Sequence, residues 1–243
     1  MGIAYYPSES LELNIARGLV KGTSFIHKFG AVPAMSTNTT GSVWDVNDTL
    51  YPWSALNGAS TLTIAANATE NGKTVTMYGL DSSYNVIDET VTISGGAATT
   101  IKSFLRVFRA FCSAPNTNNI DIKISSTTVA RITAGLAQTL MSVYTVPASY
   151  TGYLVQGTMS AQAGADATGN MFVRYFGQTS FRVGHSFEVS GAGGQYTYKF
   201  GVPLAVPEKS DIDIRITTRS NNGRYTAAFD LILIKTGLAV EPL

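Results

Sequence analysis

Asp211-Ile212-Asp213-Ile214-Arg215-Ile216 alternates strictly between charged and β-branched apolar residues. A period of two places the isoleucines on one face of a strand and the charged side chains on the other. The pattern predicts a strand with Ile212, Ile214 and Ile216 inward and Asp211, Asp213 and Arg215 in solvent. Further along, Leu231-Ile232-Leu233-Ile234 is apolar on both faces, as expected of a strand with neighbours on either side. Working back from these two, strands are predicted at 139–146, 152–161, 171–177, 180–189 and 195–203, and over 211–218 and 225–234. Turn-forming clusters separate them: Ala165-Asp166-Ala167-Thr168-Gly169-Asn170, Ser190-Gly191-Ala192-Gly193-Gly194 and Ser220-Asn221-Asn222-Gly223. Short strands at a spacing of roughly 8–12 residues are the signature of an antiparallel sandwich or jelly roll.

The stretch 43–135 reads the same way. Residues 60–65, 73–79, 85–94, 119–125 and 128–132 have strand patterns, with Ile120, Ile122 and Ile124 on one face. Asn71-Gly72 is a strong turn dipeptide. The run 99–111, carrying Phe104, Phe108 and Phe111, fits a strand or a helical turn, and periodicity does not decide between them. Residues 1–42 read as an extended arm. Ser8 is placed to cap a short helix with Leu11, Ile15, Leu19 and Val20 as its stripe, and 30–42 has no periodicity and many turn formers. The expected class is therefore all-β: two antiparallel β-sandwich, jelly-roll-like domains at 43–135 and 136–243, preceded by an N-terminal arm at 1–42 with a short helix.

Composition agrees. Of 243 residues, 29 are Thr and 23 Gly, and only 14% are charged, against roughly 25% in an average soluble domain. Thr favours strands and Gly favours turns, so a helical bundle and a disordered chain are both disfavoured. Basic and acidic residues number 17 and 16, for a net charge of +1. A chain that neutralises many phosphates carries a clear basic excess, so no nucleic-acid partner is expected. No stretch approaches the ~20 apolar residues of a membrane span, and the N-terminus lacks a signal-peptide layout. The single cysteine, Cys112, sits in an apolar run and reads as a buried small hydrophobe. These features predict a protein folded in a reducing cytoplasm.

A search for chemistry returns little. The two histidines, His27 and His185, limit any Ser-His or metal site. His185 and Ser186 are neighbours on a predicted strand and point to opposite faces, so they form no dyad. The Gly-rich 190–195 segment lacks the spacing and context of a nucleotide fingerprint. Asp45 and Asp48 suit turn capping or oxygen ligation of Ca²⁺, without the remaining positions of an EF loop. Asp211 and Asp213 share a strand face, as a pair of glycosidase acids would, though solvated alternation accounts for them. Trp44, Tyr51 and Trp53 crowd one segment and suit either sugar stacking or packing at an interface. Tyr196 and Tyr198 raise the same two possibilities. No catalytic, cofactor-binding or metal residues are expected, and no cofactor or small-molecule ligand.

Three segments carry a resemblance. These are 27–53 (HisLysPheGlyAlaValProAlaMetSerThrAsnThrThrGlySerValTrpAspValAsnAspThrLeuTyrProTrp), 164–175 (GlyAlaAspAlaThrGlyAsnMetPheValArgTyr) and 207–234. They resemble segments of virion structural proteins of tailed bacteriophages, notably marine and cyanobacterial phages. The resemblance implies a non-enzymatic particle component located in the virion and assembled in the host cytoplasm. A capsid decoration (cement) protein is the first expectation, with a neck or tail component or a receptor- or glycan-binding fibre module as alternatives. It implies a homo-oligomer, a trimer or larger ring, contacting major capsid or neck and tail proteins, with the arm reaching over a neighbour.

Overall fold

The computed structural model describes residues 10–191 and 194–237. It is almost entirely β. One short helix, α1 (Leu11–Ala16), precedes the strands. Its N-cap is Ser10, whose side chain accepts a hydrogen bond from Leu13 N at 3.2 Å. The expected cap, Ser8, lies outside the described residues. Ile15 is buried but Leu11 is half exposed, so the predicted four-residue stripe does not all face inward.

Two strands follow, β1 (Thr23–Met35) and β2 (Thr40–Ser42). Seven more, β3 (Ser60–Ala65), β4 (Thr74–Leu80), β5 (Val86–Thr92), β6 (Ala97–Phe104), β7 (Arg106–Cys112), β8 (Ile120–Ile124) and β9 (Thr127–Ile132), build one sandwich. The last seven, β10 (Val143–Thr145), β11 (Tyr150–Ala161), β12 (Ala167–Arg174), β13 (Arg182–Val189), β14 (Gln195–Val206), β15 (Asp211–Thr218) and β16 (Gly223–Lys235), return to the other.

The β10–β16 sandwich includes β1 and β2. One sheet runs β1-β16-β11-β14 and the other β10-β15-β12-β13, all antiparallel. β2 and β10 pair with the same edge of β15, at Arg215–Thr217 and Asp211–Asp213 respectively. They are two halves of one strand. Val43 and Ser142 join the halves: Ser142 N donates to Val43 O, Val43 N donates to Ile214 O (both 2.8 Å), and Ile214 N donates to Ser142 O. Counting β2/β10 as one, the eight strands in chain order form sheets 1-8-3-6 and 2-7-4-5. Strand 1 pairs with 8, 2 with 7, 3 with 6 and 4 with 5, as in one long hairpin rolled up, which is the jelly roll.

The other sandwich interrupts strand 2 of that roll. Its sheets are β6-β3-β8-β9 and β5-β4-β7. Each sandwich has its own core. Leu154, Met171, Ile212, Ile214, Phe229 and Leu231 centre the jelly roll, and Leu62, Ile64, Val75, Met77, Phe104 and Ile122 centre the other.

Several expectations are corrected. The stretch 30–42 is not an unpacked connection. β1 pairs along its length with β16 of the same chain, from Thr23↔Ile234 to Met35↔Gly223, and buries Val32 and Met35. Its small residues hide the pattern because the strand passes tightly over the break in strand 2. A Cβ on Gly30 would lie 2.6 Å from Ser142 N. The run 99–111 is two strands separated at Leu105, β6 and β7, in opposite sheets. Asn71-Gly72 does make a turn, with Gly72 at φ +83°, but β3 and β4 belong to different sheets. The turn is an inter-sheet corner rather than a hairpin.

Candidate functional site

The residues singled out in the sequence converge on one buried place, the junction of the two sandwiches. β15 runs through the middle of its sheet. Its inner face carries Ile212, Ile214 and Ile216, all fully buried as predicted. Its outer face is covered rather than solvated: Asp211 and Asp213 are 3% and 0% exposed. The alternation correctly marks a strand, but a second layer of protein lies on its charged side.

Asp211 is held by two arginines and a hydroxyl. Arg106, at the start of β7, donates through Nε at 3.0 Å and Nη2 at 3.3 Å. Arg174, at the end of β12, donates through Nε at 3.0 Å and Nη2 at 2.5 Å. Thr145 Oγ1 donates at 2.6 Å. Arg106 also donates to the carbonyls of Leu56 and Leu105. Forked donors against a carboxylate give short, oriented, charge-assisted bonds. Asp213 accepts from Trp53 Nε1 at 3.0 Å and Arg215 Nε at 2.8 Å. Its burial raises the carboxyl above the usual range, while Arg215 and Trp53 oppose that shift.

Aromatic rings pack against the cluster, and Asp211, Arg106 and Arg174 also line a cavity of about 190 Å³. The guanidiniums of Arg106 and Arg174 both lie 5.5 Å from the Trp53 ring. Those of Arg174 and Arg215 lie 4.8 and 4.3 Å from Phe181. Trp44, Tyr51 and Trp53 stack edge to face, with centroids 5.2 and 4.8 Å apart. All three rings are buried, so packing, not an open sugar-stacking platform, accounts for them. Asp211 is engaged by two arginines and a hydroxyl, and one oxygen of Asp213 by an arginine and an indole, so both acids are committed to contacts within the protein. The place holds the two sandwiches together through Trp53–Asp213 and Arg106–Asp211.

The other candidates are dispersed. Asp45 accepts from Thr133 Oγ1 at 2.8 Å, and its burial pushes the carboxyl up to about 6. Asp48 accepts from Ser36 N. The two acids serve different turns, and among the described residues no group of three or more His, Cys, Asp or Glu side chains is placed to hold a metal ion. His27 lies on the outer face of β1, its Nδ1 2.5 Å from Asp230 Oδ1 on β16. His185 stacks on Tyr198 with centroids 4.2 Å apart and has Nε2 3.3 Å from the Tyr196 hydroxyl. Burial lowers its pKa. Ser186 turns away to Asn170, so the two make no dyad. Cys112 is buried. The loop joining β13 to β14 falls at the predicted turn 190–194, of which residues 192 and 193 lie outside the described residues.

Sequence reasoning missed Arg106 and Arg174 as partners of Asp211, and Lys28. Isolated basic residues in strand patterns give no signal of the partner that the fold supplies. Lys28 is on the inner face of β1 and is buried; its ammonium donates to the Phe108 carbonyl. Desolvation, with repulsion from Arg109, pushes its pKa down to about 7.

No protein-family model matches the chain, and no curated protein matches it. Among solved structures, the chain is similar to a structure of infectious bursal disease virus Gt strain. The identity is 11%, covering 97% of this chain and 76% of that one, with a TM-score of 0.24. It is similar to the cowpea mosaic virus top component, a naturally occurring empty particle, at 7% identity over 74% of this chain and 83% of that one (TM-score 0.24). It is also similar to broad bean stain virus at 10% identity over 74% and 86%, with a TM-score of 0.21. Likeness at this level carries no argument about what the chain does.

Proposed function

We propose that this chain is a non-enzymatic structural component of a tailed-phage particle, with capsid decoration as its place, located in the virion. The observation that carries the reading is the junction. A jelly roll interrupted in its second strand by a whole sandwich, with the two bound together through Asp211, Asp213, Arg106 and Trp53, is a stiff two-part block. It absorbs into packing the residues that reaction chemistry would need. The jelly roll is an architecture used by viral capsid proteins as well as by lectins and cupins, and the sequence segments 27–53, 164–175 and 207–234 resemble phage virion proteins. For the domain division we propose that 43–135 is one domain inserted in another made of 1–42 and 136–243.

Partners in this reading are further copies of the chain, as a trimer or larger ring, and the major capsid protein. β13 and β14 end their sheets, and Val183 and Val202 on them are 54% and 84% exposed. Such edges call for cover. The test is mass photometry of the purified protein, alone and mixed with purified capsid shells. A discrete trimer or hexamer that saturates shells is expected. A species that ignores shells but binds neck or tail preparations overturns decoration and moves the assignment there. A monomer that binds neither but gives a glycan-array signal overturns the structural role in favour of receptor binding.

A further inference from the structure

A cavity of about 330 Å³ lies between β1 of the jelly roll and β7 of the inserted sandwich. That volume is at the lower end for small-molecule sites. Its walls include rings from three elements, Phe108 from β7, Tyr144 from β10 and Tyr78 from β4, with Phe25 and Phe29 of β1 at the exposed rim beside His27. Phe108 and Tyr144 pack with centroids 5.0 Å apart. Its charged lining is one-sided. Lys28 and Arg109 both face it, and no carboxylate lines it. His27, also at the rim, is engaged with Asp230 on the outer face of the sheet.

Lys28 is 8% exposed. An ammonium has three protons to donate, and the bond to Phe108 O uses one. Two like charges beside a desolvated, aromatic space are unfavourable, and burial penalises the charged amine further. An anion entering the space removes both penalties, and the rings accept an apolar body.

We propose that this cavity binds a compact amphiphilic monoanion, an aromatic or short-chain carboxylate. Its carboxylate sits between Lys28 Nζ and the Arg109 guanidinium, and its apolar body rests on Phe108 and Tyr144. The ligand spans both sandwiches and so ties them together at a second place, away from the Asp211 junction. Binding draws a proton onto Lys28. The groups facing Lys28 from the packed elements are Arg109 on β7, Tyr144 on β10 and Tyr78 on β4, while the His27–Asp230 pair lies on the opposite, outer face of the sheet. Burial raises the Tyr144 hydroxyl, which keeps it neutral.

The test is isothermal titration of the full chain with 2-naphthoate and with its neutral counterpart, 2-naphthamide, at pH 6.5 and pH 9. At pH 6.5 the acid is expected to bind about tenfold or more tighter than the amide, and this advantage shrinks severalfold at pH 9 as Lys28 loses its proton. Lys28→Met removes the advantage at both pH values, Lys28→Arg keeps it at pH 9, and His27→Gln leaves the pH profile in place. Equal binding of acid and amide by the native protein, no heat from either up to about 5 mM, or a profile that moves with His27→Gln overturns the proposal. The acid–amide comparison on the native chain decides even where Lys28→Met fails to fold.

Discussion

Asp211 shows how a single residue changes meaning between sequence and fold. In the sequence it is one charge in an alternating strand. In the structure it is the acceptor for two guanidiniums drawn from different sandwiches. Removing one member of a buried charge group leaves the others unpaired, at a cost of about 3–5 kcal/mol. Asp211→Ala is therefore expected to lower unfolding stability by about that amount, read from urea midpoints at constant m. Two other buried groups make predictions of opposite sign with pH. Lys28 titrates near 7 in the fold and at its ordinary 10.5 in the unfolded chain. The unfolded chain then binds more protons across that window, and stability rises with pH from about 7 upward. Lys28→Met flattens this rise in a pH series of denaturation curves. Asp45 titrates near 6 in the fold and near 3.8 when unfolded. The folded state holds the extra proton in that interval, so stability falls as pH rises from about 4 to 6. Asp45→Asn abolishes that slope.

At the scale of elements, the strands were legible and their company was not. Ile120, Ile122 and Ile124, and Ile212, Ile214 and Ile216, announce their inward faces by period alone, and all are buried. β1 was not legible, since it lies wholly within the stretch 1–42 that reads as an extended arm. Gly30, Ala31, Pro33 and Ala34 carry no alternation, because close passage over Val43 and Ser142 admits no side chain at Gly30. An edge strand also tolerates Pro33. Gly30→Val is expected to destabilise by about 1–3 kcal/mol or more through overpacking, measured as a drop in thermal midpoint. The candidate site was half legible. Trp44, Tyr51 and Trp53 stood out as aromatics needing a partner. That the partner is the charged face of β15, some 160 residues on at Trp53–Asp213, is information held by topology and not by local pattern.

At the scale of the molecule, the two sandwiches have separate cores joined by a polar and aromatic junction. A fragment of residues 43–142 retains every strand of its own two sheets. It loses Asp211 and Asp213, which answer Arg106 and Trp53. It is expected to fold cooperatively with a lower melting temperature than the full chain, followed by circular dichroism. Asp211→Asn in the full chain should lower the melting temperature in the same direction. A fragment with no cooperative transition would mean that the junction is required for the inserted sandwich to fold at all.

The pairing of β1 with β16 also sets a sequence of events during synthesis. Residues His27 and Asp230 lie opposite each other in the finished sheet, so β1 leaves the ribosome long before its partner exists. The inserted sandwich, whose strand-to-strand pairings fall between residues 60 and 132 with two further bridges to Gln138 and Thr139, has every strand it needs much sooner. Contacts of such long sequence separation form late and slowly, and chains fold by units as they emerge. The inserted sandwich is therefore expected to fold first, and β1, though made before it, to dock last. Until then its open backbone is a standing invitation to pair with the nascent β16 of a neighbouring chain.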